Sequence, residues 1–386
     1  MRITRPAYIK IDLDCIAHNI SQVKNNVSPG TIITAVIKAD GYGHGAKEIG
    51  QTLIDNGANR FAVATLSEGI ALRKFFKDIP ILVMGYTPTE DLKKAFENNL
   101  YMTIYSIEQA KYISGLNIKN KVHIKIDTGM GRIGLRIDEE SKDELLEICK
   151  TPNLDIEGIF SHFSTADEYD KEYTKEQARK FFDVLSFLEK HGINIPIKHI
   201  SNSAAIIDHP EYNLNMVRAG IMIYGLYPSD QVDHNKIKLK QAMSLVVGLS
   251  HVKKIDKGDS VSYGRKFKAT EETVIGSLPL GYADGITRLL YDKLKVNYKG
   301  QNYPVVGRIC MDQCMVNFGL TEPNVGEEVE IFGQNITIDE VAKTLGTINY
   351  EIVCMMGKRL PRVYYKNGEP ILVKDMVMGD RFEYEY

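Results

Sequence analysis

Short apolar runs recur along the first 240 residues, each bounded by polar or turn residues: Ile32–Ile37, Arg60–Ala64, Pro80–Met84, Tyr101–Ile104, Val122–Ile126, Ile156–Phe160, Ile197–Ile200 and Asn215–Val217. Most are rich in β-branched residues, as strands buried on both faces are. Between them, amphipathic periodicity predicts helices over Ala46–Asn56, Ser67–Phe75, Glu90–Asn98, Ser106–Leu116, Asp143–Lys150 and Thr174–Lys190. Eight strands alternating with helices predict an α/β fold with an N-terminal (β/α)8 barrel over residues 1–240. On pattern alone, an open doubly wound sheet is the rival. From residue 241 the texture changes. Strand-like runs at Ser244–Lys253, Val274–Leu280, Leu294–Tyr298, Tyr303–Val306 and Glu328–Phe332 follow one another without long helices. Lys299-Gly300-Gln301-Asn302 is a turn signal between two of them, and one short helix is expected over Ile338–Leu345. Residues 241–386 thus read as a separate, C-terminal, mainly β domain. Ala7–Leu13 also reads as a strand, one able to return and join that domain.

Composition narrows the function classes. The chain has 386 residues, 44% hydrophobic and 25% charged, which is a globular balance with material for a sizeable core. A formal net charge of −2 argues against a nucleic-acid partner. No stretch approaches the length of a bilayer span, and the N-terminus lacks the apolar run of a signal peptide. Five cysteines, few and odd in number, suit a reducing compartment, so a cytoplasmic location is expected. Cys310 and Cys314 have no second Cys or His pair nearby, so no metal site is expected.

In a (β/α)8 barrel, chemistry collects where the strands end. Lys38 closes the first run and precedes the glycine-rich turn Gly41-Tyr42-Gly43-His44-Gly45. A lysine at a strand end is most often a solvated cap. Here it follows a buried run, where an amine can be desolvated as covalent catalysis requires. The fifth run ends with Lys125, Asp127 and Arg132, the sixth with Ser161 and His162, the seventh with His199 and Ser203, and the eighth with Arg218, Gly220 and Ile221. Barrel phosphate sites are commonly built by the loops after the last two strands. Arg218 at a buried strand end needs a partner, which a cofactor nitrogen or a carboxylate would supply.

Together these segments resemble the alanine racemase family. Ala35-Val36-Ile37-Lys38-Ala39-Asp40-Gly41-Tyr42-Gly43-His44-Gly45 is similar to the family's cofactor-lysine motif, and Lys125-Ile126-Asp127-Thr128-Gly129-Met130-Gly131-Arg132 to its substrate-carboxylate motif. Ser161-His162-Phe163, Asn202-Ser203-Ala204, Val217-Arg218-Ala219-Gly220-Ile221, Val261-Ser262-Tyr263-Gly264, Gly281-Tyr282-Ala283-Asp284, Gly307-Arg308-Ile309-Cys310-Met311-Asp312 and Leu360-Pro361-Arg362 follow in the family's order. The resemblance implies a homodimer that uses pyridoxal 5′-phosphate to interconvert L- and D-alanine, supplying D-alanine for cell-wall peptidoglycan. It implies Lys38 as cofactor anchor and one acid/base, with Tyr263 of the partner chain as the other. Tyr42, Ser203, Gly220 and Ile221 would hold the phosphate, and Arg218 would face the pyridine nitrogen. His162 would link Tyr263 to Arg218. Arg132 and Met311 would meet the substrate, and Lys125 would be carbamylated to position Arg132. Asp167, Tyr282, Arg288 and Arg308 would line the channel to solvent. One departure stands out: Lys358 occupies the place where many relatives carry a tyrosine that walls the substrate pocket. That leaves a serine or broad-specificity amino-acid racemase as the alternative.

Overall fold

The computed structural model describes residues 5–377 and 381–383, and two compact units divide them. One unit comprises residues 16–42 and 46–240. Its eight strands are Ile32–Val36, Arg60–Val63, Ile81–Val83, Tyr101–Ile104, Val122–Lys125, Ile156–Phe160, Ile197–His199 and Met216–Ala219. Each pairs in parallel with the next in sequence through Ile197–His199, and Met216–Ala219 pairs in parallel with Ile32–Val36. Two backbone bonds, Asn215 N to Lys198 O at 3.2 Å and Arg218 N to Ser201 O at 3.1 Å, join the remaining edges and close the barrel. The open-sheet rival is thereby set aside. Closure explains the apolar runs: with helices outside and side chains packed inside, most strand residues are buried.

Four of the barrel unit's helices start where a side chain satisfies free N–H groups. Thr65 and Glu68 form a reciprocal capping box for Leu66–Arg73. Ser106 caps Ile107–Leu116, Asp138 caps Glu139–Lys150, and Asn202 caps Ser203–Asp208. The last strand runs two residues further than its apolar pattern suggested. Arg218 lies inside Met216–Ala219 rather than beyond its end, because its charge is satisfied within the barrel.

The other unit comprises residues 1–15, 43–45 and 241–386, described here from Arg5. Its main sheet has eleven strands. Ala7–Asp12 lies between Met243–Gly248, antiparallel, and Arg362–Lys366, parallel. Ala7, Ile9 and Ile11 alternate inward and are fully buried, the period-two pattern that fixes this register. The single strand expected over Ser244–Lys253 is instead two, Met243–Gly248 and His251–Ile255, with different partners in the sheet. The hydrophobic pattern runs straight through the break at Leu249-Ser250 because Leu249 is itself buried.

Candidate active site

Five successive residues after the first barrel strand, Ala39 to Gly43, have positive φ. Three of them are not glycine, so this left-handed turn is strained and must be held by its surroundings. Glu68 Oε1 accepts from Ala39 N at 2.6 Å, Asp40 Oδ1 accepts from Ala46 N at 2.9 Å, and Ile37 O accepts from Gly41 N at 2.9 Å. The turn leaves Lys38 half-buried with its Nζ 5.8 Å from the Tyr42 ring centre. It also folds Tyr42 inward against Tyr224, ring centres 4.9 Å apart.

Tyr42 thereby meets the ends of the last two strands. A Cβ placed on Gly220 would lie 3.3 Å from the Tyr42 hydroxyl and 3.5 Å from Ser203 Oγ. Ser203 Oγ accepts from Gly220 N at 2.9 Å, and Ile221 opens a short turn just beyond. Two hydroxyls and a side-chain-free backbone position form a small polar cradle, which suits a phosphate.

Arg218 is buried and well partnered. Its Nη1 donates to His199 Nδ1 at 2.8 Å, and its Nη2 donates to Ser161 O at 2.8 Å, His162 Nδ1 at 3.0 Å and Ile200 O at 3.0 Å. Two imidazoles and two carbonyls thus partner the guanidinium, and no carboxylate does so among the described residues. Its Nε–H has no partner among the described residues. Burial, then the nearby charge of Arg132, brings the Arg218 guanidinium down to about 9. Burial and the charge of Arg218 likewise hold His162 well below the usual histidine range, so its imidazole is neutral.

Lys125 is buried, its Nζ donating to Ile126 O at 2.6 Å. Burial first, and the charges of Arg218 and Arg132, lower its ammonium to about 7 against a pull upward from Asp127. The loop beyond it is pinned by Asp127 Oδ1, which accepts from Gly129 N and Gly131 N, each at 3.0 Å. That turn presents Arg132 exposed at the rim, close enough for its charge to act on Lys125, His162 and Arg218. Asp167 lies half-buried on the loop that follows His162.

The remaining candidates sit together in the β unit, on four linked loops. Tyr263 follows Ser262, whose Oγ donates to Arg308 O at 2.6 Å, and the Arg308 guanidinium packs over Gly264. Tyr282 N donates to Cys310 O at 3.0 Å and Ala283 N to Met311 O at 3.1 Å. A Cβ on Gly281 would collide with both of these carbonyls, so only glycine lets the loops lie this close. Buried Asp284 ties in the fourth loop, its carbonyl accepting from Gly357 N at 2.8 Å and its carboxylate pairing with Arg5 and Arg359. Tyr263, at 70% exposure, Tyr282, Met311 and Lys358 stand exposed on these loops, and Arg288 is exposed on the short helix Arg288–Leu290.

The sequence reading missed His123, Glu157 and Arg60, which run through the barrel interior behind Arg218. A signal was available. In Val122-His123-Ile124-Lys125, polar residues occupy alternate positions, marking one face of a buried strand as polar.

Two family models match the chain, the alanine racemase N-terminal domain over residues 11–228 and the C-terminal domain over residues 242–364. The alanine racemase of Clostridium tetani is 49% identical over 97% of this chain and 99% of its own length. Alanine racemase 1 of Clostridium acetobutylicum is 47% identical over 97% of this chain and 100% of its own. Among solved structures, alanine racemase of Clostridium difficile 630 superposes with a TM-score of 0.94 at 44% identity, covering 97% of this chain and 100% of that one. Alanine racemase of Bacillus anthracis with bound L-Ala-P gives 0.93 at 34% identity, covering 98% and 100%. The fold, the order of the motifs and full-length identity agree: this chain belongs to the alanine racemase family and interconverts L- and D-alanine.

Proposed function

We propose that the barrel unit binds pyridoxal 5′-phosphate and that racemisation uses two bases, Lys38 and Tyr263, on opposite faces of the substrate. The observation that carries this is the Gly220 cradle, with Tyr42 and Ser203 hydroxyls at its sides, on the strand end that follows the buried Arg218. Tyr42, Ser203, Gly220 and Ile221 would hold the phosphate, and Arg218 the pyridine nitrogen. When bound, the cofactor supplies a π system that takes up the electron pair left as the α-proton departs.

The protein's own residues do the rest. Lys38 Nζ takes or returns the α-proton on one face, and the Tyr263 hydroxyl does so on the other. Arg218 does not readily give up its proton, so a cofactor nitrogen held against it would stay unprotonated and act as a weak electron sink. A weak sink favours prompt return of a proton to Cα over side reactions. Arg132 binds the substrate carboxylate. Lys125, lowered to about 7, is substantially a free amine at neutral pH, the form that takes up carbon dioxide to become a carbamate beside Arg132. Neutral His162 joins Arg218 to Tyr263.

The exposure of Tyr263 and Met311 supports a homodimer in which each β unit completes the site of the partner's barrel. Asp167, Tyr282, Arg288 and Arg308 would line the channel to solvent. No described helix is long and apolar enough to cross a membrane, in keeping with a cytoplasmic enzyme that supplies D-alanine for the cell wall. The test is chemical. Borohydride reduction of the loaded enzyme should fix the cofactor to Lys38, and Lys38→Ala should abolish both the adduct and more than ~10³-fold of the turnover. An adduct mapped to another lysine, with normal racemisation by Lys38→Ala, would overturn the assignment.

A further inference from the structure

The interior of a (β/α)8 barrel is ordinarily filled by branched apolar side chains. In this barrel a polar line crosses it. His199 Nε2 lies 2.9 Å from His123 Nδ1, and His123 Nε2 lies 3.1 Å from Glu157 Oε2. Glu157 also meets Arg60 in a close ion pair and Lys121 at 3.2 Å. His123 and His199 are fully buried, and such a network is costly unless each member is satisfied.

The backbone is shaped around this line. Register slips between Val122 and His123, which pair with Ile156 and Gly158, so Glu157 is the extra residue of a bulge. Bulges re-aim side chains. A Cβ on Gly158 would fall 2.3 Å from His123 Nδ1, so the imidazole reaches past the intervening strand only because that position is glycine. The Phe160 ring stacks on His199 at 4.7 Å and 6°.

Donor logic gives the line a direction. A guanidinium only donates. His199 Nδ1 therefore accepts from Arg218, and its proton sits on Nε2. His123 Nδ1 then accepts from His199, and its proton sits on Nε2, facing Glu157. Burial, reinforced for His199 by the charge of Arg218, keeps both imidazoles neutral. Burial alone would raise the Glu157 carboxyl, but its bonds to His123 and Arg60 outweigh that and hold it well below the usual range.

We infer that His123 and Glu157 are positioning residues for racemisation: the one-way line from Arg218 through His199 and His123 to the Glu157 carboxylate fixes the guanidinium with its Nε–H turned to the cofactor nitrogen. The last clause rests on the cofactor reading above; the line itself does not. A spacer role would need only volume. This role needs an acceptor facing His199 and a donor facing Glu157.

Full-length protein with ¹⁵N-labelled histidine and arginine side chains tests it, first before loading and then after. Before loading, long-range ¹H–¹⁵N spectra should show His199 and His123 neutral, each protonated at Nε2. A proton on Nδ1 of His199, or a protonated His199 at neutral pH, overturns the inference with no variant needed. On loading, the Arg218 Nε–H signal should shift; a fixed signal would defeat the cofactor reading while leaving the tautomers as evidence for the line. Two variants add the functional arm. His123→Phe keeps a ring but cannot relay, and should lower kcat roughly tenfold with little change in KM. His123→Gln offers an amide oxygen and an amide N–H in the same order and should restore most of that loss, together with the His199 Nε2–H signal. Equal losses in both variants at native melting temperatures, or an unchanged kcat in His123→Phe, would leave only packing.

Discussion

The two units present their chemistry in opposite ways. In the barrel, Arg218, Lys125 and Ser203 are buried, and each has hydrogen-bond partners within the unit. In the β unit, Tyr263 and Met311 are 70% and 52% exposed, and it is the backbone beneath them that is fastened down. The barrel invests in fixed, hydrogen-bonded charges, the kind of preorganisation that the proposed cofactor would need. The β unit invests in loop shape, holding side chains outward on a face knitted by Gly281, Asp284 and Arg359. Burying a charge is costly and is tolerated where its geometry is needed. In the proposed dimer, Tyr263 and Met311 would meet the partner's barrel, which their exposure allows.

Removing the proposed outward base should give the largest effect that separates the two halves. Tyr263→Phe keeps the ring and deletes the hydroxyl, so α-proton exchange from L-alanine should fall by ~10²–10⁴-fold, the usual weight of a general base. Exchange from D-alanine should fall much less, because Lys38 serves that face. Solvent-deuterium incorporation measured separately from each enantiomer checks this, and equal small losses would remove Tyr263 from the mechanism.

A smaller effect probes the cost of the barrel's buried charges. Lys125 titrates at about 7 when folded and near 10.4 when unfolded, so between those values the unfolded chain holds more protons. Stability should therefore rise with pH across that window. Below it, both states are protonated and the full burial penalty applies. Lys125→Met removes the penalty. In bicarbonate-free, cofactor-free protein the variant should melt above the parent near pH 6, with the gap closing as pH climbs toward 10. A gap that widens with pH would mean that burial does not control this amine.

The smallest effect concerns the β unit's departure from its relatives. Lys358 is exposed on the loop between Gly357, bonded to Asp284 O, and Arg359, paired with Asp284 and Asp312. The loop is anchored and the side chain is exposed. A site that must tell alanine from serine by one hydroxyl discriminates by only about 10²-fold. Lys358→Tyr should place a rigid ring there and raise the alanine-to-serine ratio of kcat/KM by a few-fold, with cofactor retained. An unchanged ratio would take Lys358 out of the pocket wall, and an outright preference for serine in the parent enzyme would contradict the alanine assignment.

The same contrast decides what could be read from sequence. Barrel strands announce themselves because closure buries both their faces, and Ala7–Asp12 does so through strict alternation. Lys38, Arg218, Ser203 and Gly220 could be singled out from sequence because they lie at strand ends or beside glycines. The alternation around His123 marks a polar strand face, but nothing in a linear pattern shows that a bulge at Glu157 and a bare Gly158 bring strands two places apart into hydrogen-bond contact. The break at Leu249-Ser250 stayed hidden because a buried leucine continues the apolar run across it. Arg5 and Arg359 meeting Asp284 is a similar case, a junction of residues distant in sequence that only the folded sheet assembles.

Subunit complementation tests most directly whether one half of the site is built into each barrel and the other half presented by its neighbour. Lys38→Ala and Tyr263→Phe chains, each nearly inactive alone, would be mixed in equal amounts and allowed to exchange subunits. In a two-fold dimer, half of the molecules would then be mixed and each would hold one intact site, so activity should recover to about a quarter of the parent's. No recovery, with exchange verified by mass-tagged chains, would mean that Lys38 and Tyr263 act within a single chain and would contradict the account.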